Sequence, residues 1–265
     1  MTDSSKFVQR PHGFRTTRTI VALILREMAT THGRSALGYF WAILEPAAGL
    51  LLLSFIFSLA FKSPPMGSSF SLFYATGLLP FMMYSDISQK LSVALRFSKP
   101  LLFYPGVTFI DALVARFVLN TLTQVMVFAV VLTTILVAFR VDVILDLPRL
   151  ALGVLMALSL ALGIGTLNCF LLSMFPVWER SWAVLNRPLF IISCIFYLFE
   201  NVPQPFQAYL WFNPIIHIVG QVRQGIYPTY YGAYISPLYV FGVSAVCFAA
   251  GLLLLRRYHR EIVND

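Results

Sequence analysis

The chain has 265 residues, of which 58% are hydrophobic and 11% charged, with a mean hydropathy of +0.79; a soluble domain carries roughly 25% charged residues. So little charge excludes an ordinary soluble enzyme and leaves room, at about 20 apolar residues per span, for about six membrane helices and no separate catalytic domain. The net charge of +8 lies at the ends of apolar segments and not on one face, which argues against nucleic-acid binding and for membrane topology.

Residues 1–36 are polar and basic, with Lys6, Arg10, Arg15, Arg18, Arg26 and Arg34 against Asp3 and Glu27. No short apolar stretch with a small-residue cleavage site precedes the first apolar run, so no signal peptide is expected. Residues 17–30 read as an amphipathic helix: Ile20, Ile24 and Met28 form a stripe with Val21 and Leu25 beside it, while Leu23 breaks the pattern. Such a helix is expected to lie in the headgroup plane on the cytoplasmic side.

An all-α membrane protein of six spans is expected, at 37–61, 71–95, 107–139, 147–175, 183–200 and 236–256. With both termini inside, 14 Lys and Arg residues fall on the cytoplasmic side against four outside (Lys62, Arg140, Arg149 and Arg223), Arg116 lying within a span. That bias fixes the orientation. Residues 257–265 form a cytoplasmic tail. Between the second and third spans, segment 97–106 is apolar but holds Pro100, Pro105 and Gly106, which predicts a short surface helix bounded by helix breakers. Between the fifth and sixth, residues 200–236 are rich in aromatics and prolines; a re-entrant helical hairpin on the outer face is expected there.

Ionisable residues within spans cost about 2.5–3.5 kcal/mol each on insertion scales and are functional candidates. Glu45, followed by Pro46, lies in the first span, Asp86 in the second, and Asp111 and Arg116 in the third. All four are expected in the cytoplasmic half, where they could pair with one another in a structural network. Cys169, Cys194 and Cys247 lie far apart in apolar runs and match no metal-ligand spacing. None of the four histidines sits near a nucleophile, and His217 reads as a satisfied interfacial residue. No GxxxxGK[ST] phosphate loop occurs, so any ATP hydrolysis would belong to another chain. Many of the 24 Phe and 12 Tyr lie at span ends as interfacial anchors. Phe196, Tyr197 and Phe199 are candidates for the lining of a conduit, with Tyr39 and Trp41 at the start of the first span. Gly163 and Gly165, with Ala161, predict close helix packing within the monomer.

Several short motifs in this order resemble the capsule-exporting, KpsM-like permeases of the type-2 ABC exporter group, with the O-antigen permeases as relatives. They are Arg26-Glu27, Arg34, Gly38, Trp41 and Glu45-Pro46; Lys99-Pro100 and Tyr104-Pro105; Arg187-Pro188; and Trp211-Phe212-Asn213-Pro214 with Arg223. Where many relatives have Arg-Asp before the fifth span, this chain has Val177-Trp178-Glu179-Arg180.

The resemblance implies one transmembrane domain over 1–265, its membrane part at 37–256, in an inner membrane. It implies a homodimer with two P-loop ATPase subunits, which would hold the ATP and Mg; no cofactor is expected in this chain. Lys99, Leu101, Leu102, Phe103 and Tyr104 would form the ATPase-coupling helix. Arg26, Arg34 and Arg96, with Glu45, would stand where an anionic polysaccharide on a lipid anchor enters. Periplasmic copolymerase-type and outer-membrane export partners fit the same scheme. The rival readings are a secondary transporter or channel for another solute, which would show an inverted repeat or polar midplane rings, and a membrane-embedded enzyme, for which only His217 is a candidate.

Overall fold

The computed structural model describes residues 13–31, 37–102, 107–139 and 143–264. Regular structure among them is helical: α1 (Gly13–Thr31), α2 (Leu37–Ala60), α3 (Phe70–Ser92), α4 (Ala94–Leu102), α5 (Phe109–Ala138), α6 (Leu147–Met174), α7 (Pro176–Ile192), α8 (Phe206–Leu210), α9 (Pro214–Ile226) and α10 (Pro237–Asn264), with a 3-10 turn at Phe199–Asn201. Arg34, Phe103 and Tyr104 lie outside the described residues, as do the side chains of Tyr39 and Leu102.

Polar residues start these helices. Ser69 caps α3 by accepting from the Leu72 amide, and Asp146 caps α6 by accepting from the Arg149 amide. Asn213 does the same for α9 at Ile215, with Pro214 in the first turn where its missing N–H costs nothing. At α5, Thr108 and Asp111 form a reciprocal capping box.

Among the described residues, four helical segments are long and apolar enough to cross a membrane: Phe40–Ala60, Phe109–Ala138, Leu147–Met174 and Pro237–Tyr258. The 23-residue α3 carries Asp86 and Lys90 and is mostly buried among its neighbours α2, α5, α6 and α9. Close packing of α6 relies on missing side chains, as its glycines predict. A Cβ at Gly163 would stand 2.4 Å from the Ser244 carbonyl oxygen on α10, and one at Gly165 2.9 Å from Leu91 Cβ on α3.

The expected segments and the helices differ in three places. The fifth span is expected at 183–200, but α7 starts at Pro176 and stops at Ile192; its 17 residues reach about 25 Å. The chain turns after Ser193, with Cys194 in the left-handed region at φ 56°. Downstream, the carbonyls of Ile195 and Tyr197 are taken by the Arg223 side chain and not by a continuing helix. Second, α3 ends at Ser92 and α4 begins at once after Val93, so the short helix starts before 97 and holds Pro100 inside it. Third, α10 carries the expected tail on as helix to Asn264.

Candidate functional site

At the α1 end of the bundle, α4 turns Ala94, Leu95 and Ser98 inward. Ala94 and Leu95 join a small core of Leu91, Leu113, Cys169, Phe170 and Leu255, which seats α4 across the ends of α3, α5, α6 and α10. Arg96, Phe97 and Pro100 are exposed, and Lys99 and Leu101 are half-buried. Arg96 does not point free into solvent. Its Nη1 donates to Glu179 Oε2 on α7 at 2.7 Å, and its Nη2 donates to the Leu172 carbonyl near the end of α6. One guanidinium therefore ties the short helix to two others.

The α1 helix packs on α5 through a face rotated from the stripe expected. Val21, Leu25 and Met28 are exposed, whereas Ile20, Leu23 and Ile24 are partly covered and Glu27 is buried. Glu27 Oε1 accepts from Arg116 Nε at 2.8 Å, and the Arg116 guanidinium lies 4.3 Å from the centroid of Phe97 on α4. The pairing expected among the four span charges is thus corrected. Arg116 pairs with Glu27, Asp111 caps α5, Asp86 accepts from Gln124, and Glu45 is exposed. Sequence reasoning missed the pair, although Glu27 falls three residues after Ile24 and seven after Ile20, on one helical face. Arg26 is exposed on the same helix.

At the opposite end, Phe57, Phe61, Phe70, Tyr74, Phe196 and Tyr197 line a cleft of about 380 Å³. Phe196 stacks on Phe57 with centroids 5.7 Å apart and meets Phe190 edge-on at 5.1 Å. Tyr197 donates to the Ile191 carbonyl at 3.3 Å. Phe199 turns away: it is buried against Tyr234, ring centroids 4.2 Å apart. Trp41 is 64% exposed near the start of α2, about 24 Å along the helix from Phe57, so the structure does not bring it to this cleft.

Arg223 holds the cleft's wall. Fully buried on α9, it donates through Nη1 to the Tyr197 carbonyl and through Nη2 to the Ile195 carbonyl, each at 3.0 Å, with Nε 3.4 Å from Thr76 Oγ1. Its guanidinium lies 4.5 Å from the centroid of Phe73. The sequence marked Arg223 as an outer-side cation and as part of the hairpin motif that carries the resemblance, with no structural role assigned. Nothing local in its neighbours signals that its fork would satisfy the irregular backbone after α7. His217 is buried and satisfied, bonded to the Trp211 carbonyl at 2.8 Å and accepting from the Ser236 amide at 3.2 Å. Among the described residues no group of three or more His, Cys, Asp and Glu could hold a metal ion.

No protein-family model matches the chain. It is 34% identical over 247 residues to the polysialic acid transport protein KpsM of Escherichia coli, covering 93% of this chain and 96% of that one. It is 25% identical over 249 residues to the capsule polysaccharide export inner-membrane protein CtrC of Neisseria meningitidis serogroup A, covering 92% of each. The capsule polysaccharide export inner-membrane protein BexB of Haemophilus influenzae is 24% identical over 250 residues, again with 92% of each chain covered. With apolar helices of spanning length and near end-to-end similarity to these proteins, the chain belongs to the KpsM-like family of capsule polysaccharide export inner-membrane permeases.

Proposed function

We propose that the chain is the membrane-spanning subunit of an ATP-driven exporter that moves lipid-linked capsular polysaccharide across the inner membrane, with hydrolysis on a separate P-loop ATPase that holds the ATP and Mg. The observation that carries this reading is the similarity to a polysaccharide transport protein over 93% of the chain. In this reading α2, α3, α5, α6, α7 and α10 cross the membrane with both termini cytoplasmic, and α8 and α9 form the re-entrant hairpin on the outer face. The 13 residues of α9, nearly all buried, support the hairpin: they reach about 20 Å, short of a span.

The ATPase docks on α4 and the residues that follow it, with Lys99, Leu101 and Leu102 on the helix and Phe103 and Tyr104 beyond. A push on α4 passes through Arg96 to Glu179 and so to α7, a long helix that buries none of its residues. Two copies of the chain face each other through α2 and α7, whose apolar surfaces a single copy leaves exposed. Arg26 and Arg34 meet the acidic anchored end of the cargo, whereas Arg96, engaged with Glu179, serves the coupling. Phe196 and Tyr197 give the passing polymer an aromatic wall at the outer end, and Trp41 and Tyr39 stand at the inner end of α2.

Deleting the chain from encapsulated cells tests the reading. Surface polysaccharide should disappear while polymer accumulates inside, and restoring the chain should restore the surface layer. Undiminished surface polysaccharide in the deletion would contradict it.

A further inference from the structure

The last turns of α3 carry Ser85, Ser88, Gln89 and Ser92, a polar stripe at helical spacing on a helix otherwise buried and mostly apolar. The start of α7 presents Glu179, Trp182, Asn186 and Arg187 at the same spacing, and the two stripes face each other across a cleft of about 330 Å³. That size lies within the range of about 300–1,000 Å³ typical of small-ligand sites.

The two stripes do not satisfy each other. Asn186 Nδ2 reaches Ser85 Oγ only at 3.5 Å, and Ser92 Oγ donates to the Gln89 carbonyl of its own helix. Ser88 is 3% exposed, and its hydroxyl has no partner among the described residues. Arg187 carries no ion pair among them. Trp182 stacks at 6.2 Å on Trp178, whose indole N–H is fixed by Asn168 Oδ1 at 3.0 Å, so the platform is held in place. Unpaired polar groups within an apolar bundle are costly unless something polar occupies the space between them.

We propose that this cleft binds one acidic sugar unit of the cargo. The apolar face of the ring lies on Trp182, its hydroxyls meet Ser85, Ser88, Gln89 and Asn186, and its carboxylate meets Arg187. This rests on the export reading and adds to it a binding step inside a single subunit, between α3 and α7. Because Glu179 lines the same cleft and holds Arg96 of α4, the occupant touches the wall that the coupling helix moves.

The test uses the full chain in cells that make their own capsule. A benzophenone amino acid replaces Ala183, which lines the cleft but has no contact assigned to it, or, as a control, the exposed Leu122 on α5; after photolysis the chain is purified, delipidated and analysed for attached carbohydrate by mass spectrometry. The expected result is a saccharide adduct at 183 roughly tenfold above that at 122. Arg187→Ala should lower surface polysaccharide, with Arg187→Lys restoring it, at unchanged chain abundance. A lipid adduct without sugar at 183 would assign the cleft to a phospholipid headgroup and overturn the proposal; absence of any sugar adduct at 183, with lipid adducts formed at 122, would overturn it too. Either failure leaves the export reading standing as long as deleting the chain still abolishes surface polysaccharide.

Discussion

The helices α3 and α6 live in different surroundings from the helices α2 and α7. Most of α3 is buried, and α6 meets α3, α9 and α10 through glycines that leave no space for a side chain. By contrast α7 buries no residue, and Phe55, Leu59, Val184 and Leu185 stand exposed on α2 and α7. Length and apolar composition mark α2 and α6 as able to cross a membrane, and α3 and α7 cross beside them only in the proposed topology; small residues and buried polar clamps decide which of the four form the frame. The buried pair positions the hairpin and the α4 seat, and the exposed pair leaves the apolar surface that the proposed dimer would cover.

Substitutions at glycines should separate the two regions most sharply. Gly163→Leu drives a side chain into the Ser244 carbonyl, and it is expected to abolish the folded, monodisperse chain in size-exclusion chromatography. Gly49→Ala on α2, where the nearest atom to the added Cβ would be Leu78 Cδ2 at 4.0 Å, should cost no stability, since alanine is the better helix former. Equal effects at the two sites would erase the distinction.

Arg223→Met should come next, because it leaves the Ile195 and Tyr197 carbonyls unpaired, a loss of about 1–3 kcal/mol for each buried group. Thermal unfolding in detergent reads it. Arg223→Lys should not rescue, since a single ammonium cannot reproduce the fork. Glu27→Gln neutralises the buried partner of Arg116 while keeping an acceptor oxygen, at a cost of about 1–3 kcal/mol, and should increase proteolytic release of α1. Unchanged protection of α1 would show that the pair does not hold it.

Among the charged clamps, the smallest effect on stability is expected at Arg96→Ala. Its pair with Glu179 is partly exposed, worth about 0.2–1 kcal/mol, so chain abundance should hold while export falls. The swap of Arg96→Glu with Glu179→Arg should recover part of that export. Full export in Arg96→Ala would break the proposed link between α4 and α7.

Much of the frame was legible in the sequence. The ends of α2, α5 and α6 lie within two residues of the expected segments, because long apolar runs end where Pro, Asp, Ser or Thr takes over. Gly163 and Gly165 announced the close packing of α6. The end of α7 was not legible: Ile195 and Phe196 continue its apolar run, and only a distant Arg223 reveals that their backbone leaves the helix. Glu27 and Arg96 were equally obscure, since each is paired with a residue more than 80 positions away. For segment 97–106, the prolines pointed to a short helix but not to its place at 94–102, which the buried Ala94, Leu95 and Ser98 set.

The central claim, a permease driven through α4 by a separate ATPase, is tested most directly by native mass spectrometry of the tagged chain released from lipid nanodiscs. The account predicts two copies of the chain with two P-loop ATPase subunits, and loss of those subunits but not of the second copy when Leu101→Asp alters α4. Recovery of the chain without any nucleotide-binding subunit, under conditions that preserve a known exporter complex, would contradict it.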